Sequence, residues 1–429
     1  MNNKRVIVIG AGAGGLMAGG RAGSCETEVL LLEKMAQPGK KILISGKSRC
    51  NLTNTKDLED FIQAYGINGR FLYPAYHSFF RDDLIDFLKK LGVPTKSERG
   101  GRVFPESDNA GDVVSAFIRY LNENRVKLQT GVNVKAISTS GNRVTGVKTD
   151  QAEYPCDAVI LATGGSSWPA TGSTGDGYRM AAALGHTIVK LRPALVPLIV
   201  EDIDLAKSMQ GVSLKNIRLT AYMGKAETIG EPRSGKNVID TRMGEMMITH
   251  FGIGGPISLL MSLDVVDALE KGPVSVAIAL KPGLSVEQLQ SRLQKDFNFY
   301  SKKSFQNILK ELLPVKMIDP IVSLSGIDAS KRGNQINAKE RASLVALLKS
   351  LRFNIKGPLP LGSAMVTAGG VSLKEIDPRT MASRIIKGLY FCGEVMDINA
   401  DTGGYNLQAA FSTGYLAGES ASAYVKNPE

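Results

Sequence analysis

The first thirty-odd residues constrain this chain more than any other stretch. Residues 5–9, Arg-Val-Ile-Val-Ile, form the apolar, β-branched run expected of a strand buried on both faces of a parallel sheet. Gly10, Gly12 and Gly15 follow at G-x-G-x-x-G spacing. The first glycine permits a tight turn, the second lets backbone approach a pyrophosphate, and the third lets the next helix pack against the strand. That helix, expected over about 14–23, aims unpaired N–H groups and its dipole at the phosphates. A second apolar strand begins at Glu28 and ends at Glu33, the distance at which a carboxylate reaches ribose hydroxyls. The three glycines alone are weak evidence. Flanked by a strand, a helix and an acid at this spacing, they define a dinucleotide-binding βαβ unit.

A chain of 429 residues is long for one domain and implies two or three. Cys25, Cys50, Cys156 and Cys392 show neither metal-ligand spacing nor the density of a disulfide framework, so a reducing, cytoplasmic setting is expected. The first strand starts almost at once, which leaves no room for a signal peptide. The longest apolar candidate for a membrane span, near 253–266, is broken by Gly, Ser and Asp264, so no membrane association is expected. The net charge of +11 is uneven: residues 295–357 hold 12 Lys/Arg against 5 Asp/Glu. Lys89, Lys90, Lys96, Arg99 and Arg102 form a second basic cluster. Charge runs of this kind are either solvated helix faces or the electrostatic footprint of a polyanion.

Along the chain, residues 39–54 read as a loop dense in Gly, Ser and Asn, and 58–92 as helices ended by Gly92 and Pro94. Residues 99–105 are a basic turn, with His77 nearby as a surface or core histidine. A helix is expected at 110–124, then strands near 126–137 and 143–149. Asp157–Gly165 reads as another buried strand with a glycine turn. Asp176 stands at a helix start, either as a cap or against a cofactor, and His186 at that helix's end reads as a positive partner for the dipole. From about 190 the texture turns to alternating apolar residues, a glycine-rich turn at 249–256, a strand at 274–280 and basic helices at 286–313 and 338–351. No second G-x-G-x-x-G appears there. Strands at 366–371 and 388–394 return to the first domain, and Asp401–Gln408 opens a small-residue helix running to about 424. The domains are therefore expected at 1–190, 191–357 (an insert, β-rich then helical) and 358–429.

Taken together, these motifs resemble a bacterial flavoprotein family whose members have been described as BaiN-like reductases, aminoacetone-oxidase-like enzymes and ribosomal RNA dihydrouridine synthases. The resemblance covers the whole chain. It rests on the 10–15 glycines, Ser45-Gly46 with Arg49–Asn54, Ala162–Gly165, Gly172–Tyr178, Thr249–Pro256, Thr367–Val371 and Gly393–Gln408. It implies an α/β architecture: a Rossmann-type two-dinucleotide FAD-binding domain interrupted by an inserted α+β domain, with the reactive face between them. Lys47 and Ser48 stand where the family usually has two glycines, which adds a positive charge to that loop.

The same resemblance implies tightly bound FAD, with NAD(P)H as a transient electron donor. Besides Gly10, Gly12, Gly15 and Glu33, it places Gly14, Lys34, Lys41, Ser45, Gly46, Arg49, Asn51 and Thr53 at the cofactor. Val134 would offer backbone bonds to adenine, and Ala162, Thr163, Gly164 and Gly165 would close the site beneath the cofactor. Asp176, Gly393 and Gly404 join them. Glu394 suits a ribityl hydroxyl, and the backbone N–H groups of Asn406 and Leu407 suit the flavin N1/O2 edge. Disulfide reductases keep two cysteines five apart in the flavin loop; here Cys50 has Thr55 at that offset, so dithiol chemistry is excluded. Cys50 is then a proton donor or an inert packing side chain, and His250 is the other candidate acid. The leading substrate is uridine in ribosomal RNA, held through 295–357. A small-molecule FAD oxidase or reductase and a non-catalytic flavin-containing RNA-binding protein are the alternatives. The sequence does not indicate an oligomeric state.

Overall fold

The computed structural model describes residues 4–227 and 237–427. The chain forms two compact units, residues 1–192 with 361–429, and residues 193–360. Among the described residues no helix is long and apolar enough to cross a membrane.

The first unit is built on a five-stranded parallel sheet in the order Leu389–Phe391, Ala158–Leu161, Arg5–Ile9, Glu28–Glu33, Lys127–Thr130. Val6, Ile7 and Val8 at its centre have no exposed surface, as their β-branched run requires. The expected helix after the first glycines spans Ala13–Ser24. Val134–Ser140, Arg143–Thr149 and Glu153–Pro155 form a separate antiparallel sheet. The segment 58–92 holds three α-helices, Leu58–Ala64, Tyr73–Ser78 and Arg81–Lys90, and Ala110–Glu123 follows as a fourth.

The last helix, Tyr405–Lys426, crosses Ala13–Ser24 along a seam of small residues. A Cβ on Gly414 would lie 2.4 Å from the Gly14 carbonyl oxygen, and one on Gly418 would lie 2.4 Å from that of Ala18. Two backbones can approach this closely only where side chains are missing.

His186 departs from the dipole-partner reading. Its ring is buried, edge-on to Phe391, between Glu375 Oε2 at 3.2 Å and Ser383 Oγ at 2.9 Å. Burial pulls its pKa below the ordinary value against the pull of Glu375, so it serves as a neutral hydrogen-bond bridge.

The second unit closes six antiparallel strands into a barrel: Leu198–Val200, Gly252–Gly254, Val238–Ile248, Ser213–Met223, Val274–Ala279 and Leu351–Pro358. The closing strand was not foreseen. The helix expected over 338–351 ends at Lys349, and Leu351, Phe353 and Ile355 then alternate inward at period two. The helical stretch expected over 286–313 is Val286–Phe299 and Phe305–Leu309, with Val315–Ser325 beyond it. Phe297, Phe305 and Leu344 bury these helices in a core shared with barrel residues such as Leu219 and Ile278.

Candidate active site

The glycines of the first turn divide their tasks by geometry. Gly10 sits at φ +99°, and a Cβ there would meet the Ala162 carbonyl oxygen at 2.7 Å. A Cβ on Gly15 would lie 1.8 Å from the Gly10 oxygen, and Gly14 packs against Cys392 and Ala410. These three are required by the protein's own packing. Gly12 is different: its φ of −80° suits any residue, and nothing lies within 4 Å of where its Cβ would be. Its missing side chain leaves open space beside the N-terminus of a helix that no side chain caps. Glu33 stabilises the turn, its carboxylate accepting from the backbone N–H groups of Ala11 at 2.7 Å and Met35 at 2.8 Å.

A second uncapped helix start lies at Tyr405, preceded by Gly404 at φ +100°. The helices beginning at Leu58, Ala110, Ile203, Val286 and Ala338 are capped by Asp57, Asn109, Asp202, Ser285 and Asn337, while others, such as those beginning at Asp176, Pro256 and Val315, lack a side-chain cap as these two do. Exposed N–H groups without an acidic cap are what a bound anionic group requires. The 39–54 segment explains how this second start is placed. Lys40–Ile44 is a short helix whose end is closed by Ser45 Oγ donating to the Ile42 carbonyl. Gly46, Lys47, Ser48 and Cys50 then all take left-handed φ, between +56° and +65°. Lys47 and Ser48 therefore hold backbone that glycine would adopt without strain. Beyond the turn, Asn54 Nδ2 donates to the Gly403 carbonyl at 2.9 Å, and fully buried Thr53 sets its own carbonyl where a Cβ on Gly404 would fall. With its amide turned to satisfy both neighbours, Asn51 accepts from Gly404 N–H and donates to Thr53. Asn406 clamps the approach to the helix through the Ala400 N–H and carbonyl, at 2.9 and 2.8 Å.

A polar cluster is assembled from four segments distant in sequence. Glu394 Oε2 accepts from Lys41 Nζ at 3.1 Å, while Oε1 accepts from Thr367 N–H at 2.8 Å and Ser167 Oγ at 3.3 Å. Gly165 is needed there, because a Cβ would lie 2.8 Å from Glu394 Oε1. Ser167 carries no motif signal and was missed in the sequence, whereas Thr367 lies in the Thr367–Val371 motif but had no role assigned to it. Asp176 is not a cap: it is the first residue of its helix and pairs with Lys34, Arg179 and Thr174. Burial pushes the Asp176 carboxyl up, but hydrogen bonds from Lys34 and Thr174 outweigh it and hold it below its ordinary value. Thr163 and Gly164 keep partial exposure at the end of their strand, whereas Ala162, Val134 and Gly393 are buried. Arg49 is engaged within the protein, forked onto Glu98 and Asp108 and laid over Phe104 with its guanidinium carbon 4.1 Å from the ring centroid.

The two catalytic candidates fare differently. Cys50 is fully buried. Burial pushes that thiol to about 12, a hydrogen bond with Ser45 opposing in part. Complete burial and the raised thiol favour the packing reading of Cys50 over the proton-donor one. Cys50→Ala should keep its full FAD content and turnover within about twofold, while losing about 1 kcal/mol of stability to the small cavity; flavin absorbance, steady-state rates and a urea titration check this. His250 stays exposed, on the turn between Val238–Ile248 and Gly252–Gly254, with its ring edge-on to Phe251.

These features fit a dinucleotide such as FAD: an unobstructed glycine face, two uncapped helix starts and a carboxylate at the end of the second strand. The family described as "HI0933-like protein Rossmann domain" matches residues 4–420. A 3-dehydro-bile acid delta(4,6)-reductase of Clostridium scindens is 33% identical over 97% of this chain and 98% of its own. A ribosomal RNA dihydrouridine synthase of Escherichia coli K12 is 29% identical over 96% of each. Among solved structures, Mycobacterium smegmatis Sdh1 in complex with UQ1 matches with a TM-score of 0.52 at 18% identity, over 99% of this chain and 70% of that one. A flavocytochrome c3 fumarate reductase in its open conformation gives 0.50 at 16%, over 98% and 78%. At such identities the structural likeness is one of fold. The sequence matches extend over nearly the whole chain, and the chain belongs to the HI0933-like Rossmann family of FAD-dependent oxidoreductases.

Proposed function

We propose that this protein reduces a ring carbon–carbon double bond conjugated to a carbonyl, that its substrate is uridine in ribosomal RNA, and that NAD(P)H supplies the electrons. When bound, FAD provides the hydride. The chain's own residues do the rest. The Gly12 face and the Ala13–Ser24 helix start hold the pyrophosphate, and Glu33 holds the adenosine ribose. The Lys41–Glu394 pair would hold the ribityl chain, and the N–H groups of the Tyr405 helix start would hold the flavin's electron-rich edge. With Cys50 buried, exposed His250 is the side chain proposed to protonate the second carbon.

The observation that carries the RNA reading is a pair of hydrogen-bonded turns in the second unit. Ser304 bridges Arg332, Phe305 N–H donates to the Lys331 carbonyl, and Gly333 N–H donates to that of Lys303. Lys302 and Lys303 are thereby brought to the segment that carries Lys331 and Arg332, and Phe299, three residues before Lys302, is 80% exposed. Cations interleaved with an exposed aromatic suit phosphates and an unstacked base. Not all four cations are equal. Lys331 is held by Glu340 at 2.6 Å and Lys303 lies over the Tyr300 ring, whereas Lys302 and Arg332 are exposed.

Charge reversal at Lys302 and Arg332 should therefore weaken RNA binding and make its salt dependence shallower by about 1.4, at about 0.7 per lost phosphate contact on single strands. FAD content and dithionite reduction should not change. Anisotropy titrations at several salt concentrations measure this, and an unaltered slope would return the patch to a solvated surface. The full reading is tested by incubating the holoenzyme and NADPH with ribosomal RNA, then measuring uridine that has gained two hydrogens by nucleoside mass spectrometry. The bile-acid reductase similarity favours a second reading, a small cyclic enone as substrate. Turnover of a 3-oxo-Δ4,6 steroid with none of RNA would select it.

A further inference from the structure

We propose that Trp168 is the substrate's stacking platform, a specificity-determining residue that lies flat against the conjugated ring to be reduced. The inference rests on the ring-reduction reading above and concerns one residue that reading does not use. Trp168 is the only tryptophan in the chain. Its backbone lies in the left-handed region, φ +54° and ψ +62°. A bulky side chain rarely accepts that conformation, and it persists only where the surroundings impose it.

The surroundings do impose it. Trp168 N–H donates to the Gly362 carbonyl at 3.1 Å, and the Trp168 carbonyl accepts from both the N–H and the hydroxyl of Thr171, at 2.9 and 2.8 Å. The preceding residue, Ser167, is fully buried and tied to Lys41 and Glu394. Three hydrogen bonds to Trp168 itself, and two through Ser167, thus hold a strained backbone. Of this large apolar residue, 45% remains exposed to solvent. Ser167 Oγ also donates to the Met365 carbonyl at 3.4 Å, and Met365 itself is 47% exposed. The exposed ring thus follows directly in the chain on Ser167, a member of the polar cluster assigned to the cofactor.

A rigid indole in this setting matches one ligand chemistry, a flat ring carrying a conjugated carbonyl, which would stack on its face. Two sources offer such a ring: the uracil of an unpaired nucleotide and the enone ring of a steroid. Both would use the same face. For a nucleotide, stacking of this kind is sequence-tolerant, so Trp168 would contribute affinity for the ring and the pocket polar groups would choose it.

The lone tryptophan supplies a direct readout. Oxidised holoenzyme without reductant is titrated with a uridine-containing single-stranded RNA oligonucleotide and, separately, with a 3-oxo-Δ4,6 steroid, following tryptophan emission and flavin absorbance together. One probe should change both signals over the same concentration range. By the flavin signal, Trp168→Ala should weaken that probe about tenfold or more, and Trp168→Phe should stay within about threefold, with FAD content unchanged in both. A Trp168→Ala variant that binds with the parent's affinity overturns the assignment while leaving the ring-reduction reading intact. If neither probe shifts the parent's flavin spectrum, the ring-reduction reading fails, and the assignment resting on it falls with it.

Discussion

Gly12→Val should give a folded, colourless protein. Most glycines of a dinucleotide turn cannot separate folding from binding, because each is needed by the backbone around it. Gly12 can. A Cβ there meets no protein atom within 4 Å and no forbidden backbone angle, so the cost to folding is that of a poorer residue before the helix, about 1 kcal/mol. The same valine projects into the space a pyrophosphate must enter, and FAD affinity should fall by roughly 100-fold or more. Because bound FAD itself raises the melting temperature, the comparison belongs with parent protein stripped of cofactor. Gly15→Ala is the counterpart. Its methyl group would lie 1.8 Å from a backbone oxygen, and this variant should fail to accumulate as folded protein. If Gly12→Val retains stoichiometric FAD, the turn is not the pyrophosphate site. If it fails to fold, the open space beside it has been misjudged.

A large effect on stability away from that turn is expected at Gly414, which carries no motif signal. A methyl group there would press on the Gly14 carbonyl oxygen at 2.4 Å, and neither atom belongs to a flexible side chain. The two helices must separate, and overpacking of this kind costs about 3 kcal/mol or more. The thermal midpoint of Gly414→Ala should accordingly drop by roughly 6–12 °C. Gly283→Ala, where nothing lies within 4 Å, should leave it within about 2 °C. The seam also couples fold to cofactor. Ala13–Ser24 and Tyr405–Lys426 each begin at an uncapped start proposed to face the FAD, so forcing them apart should weaken FAD binding as well. A Gly414→Ala protein with parent stability and parent FAD affinity would show that the helices do not cross as closely as 2.4 Å implies.

The sequence by itself determined what short-range rules govern. The run Val6–Ile9 can be satisfied only inside a parallel sheet, the spacing of Gly10, Gly12 and Gly15 dictates a turn into a helix, and Glu33 follows at the end of the next strand. Each signal is complete within about thirty residues, because periodicity and turn geometry are local properties. Only the tertiary structure decided matters that depend on segments far apart in sequence. Lys41 and Glu394 are separated by 353 positions, and nothing near either announces the other. Cys50 carries the same thiol whether it lines a pocket or is sealed, and its complete burial comes from segments packed over it. His186 looked like a surface cation until Glu375 and Ser383, nearly 200 residues away, enclosed it as a neutral bridge. The strand Leu351–Pro358 did carry a legible alternation, but its role in closing a barrel required partners from Leu198–Val200 and Val274–Ala279. Local sequence thus set where the dinucleotide turn lies, and long-range packing set which of its neighbours a ligand can touch.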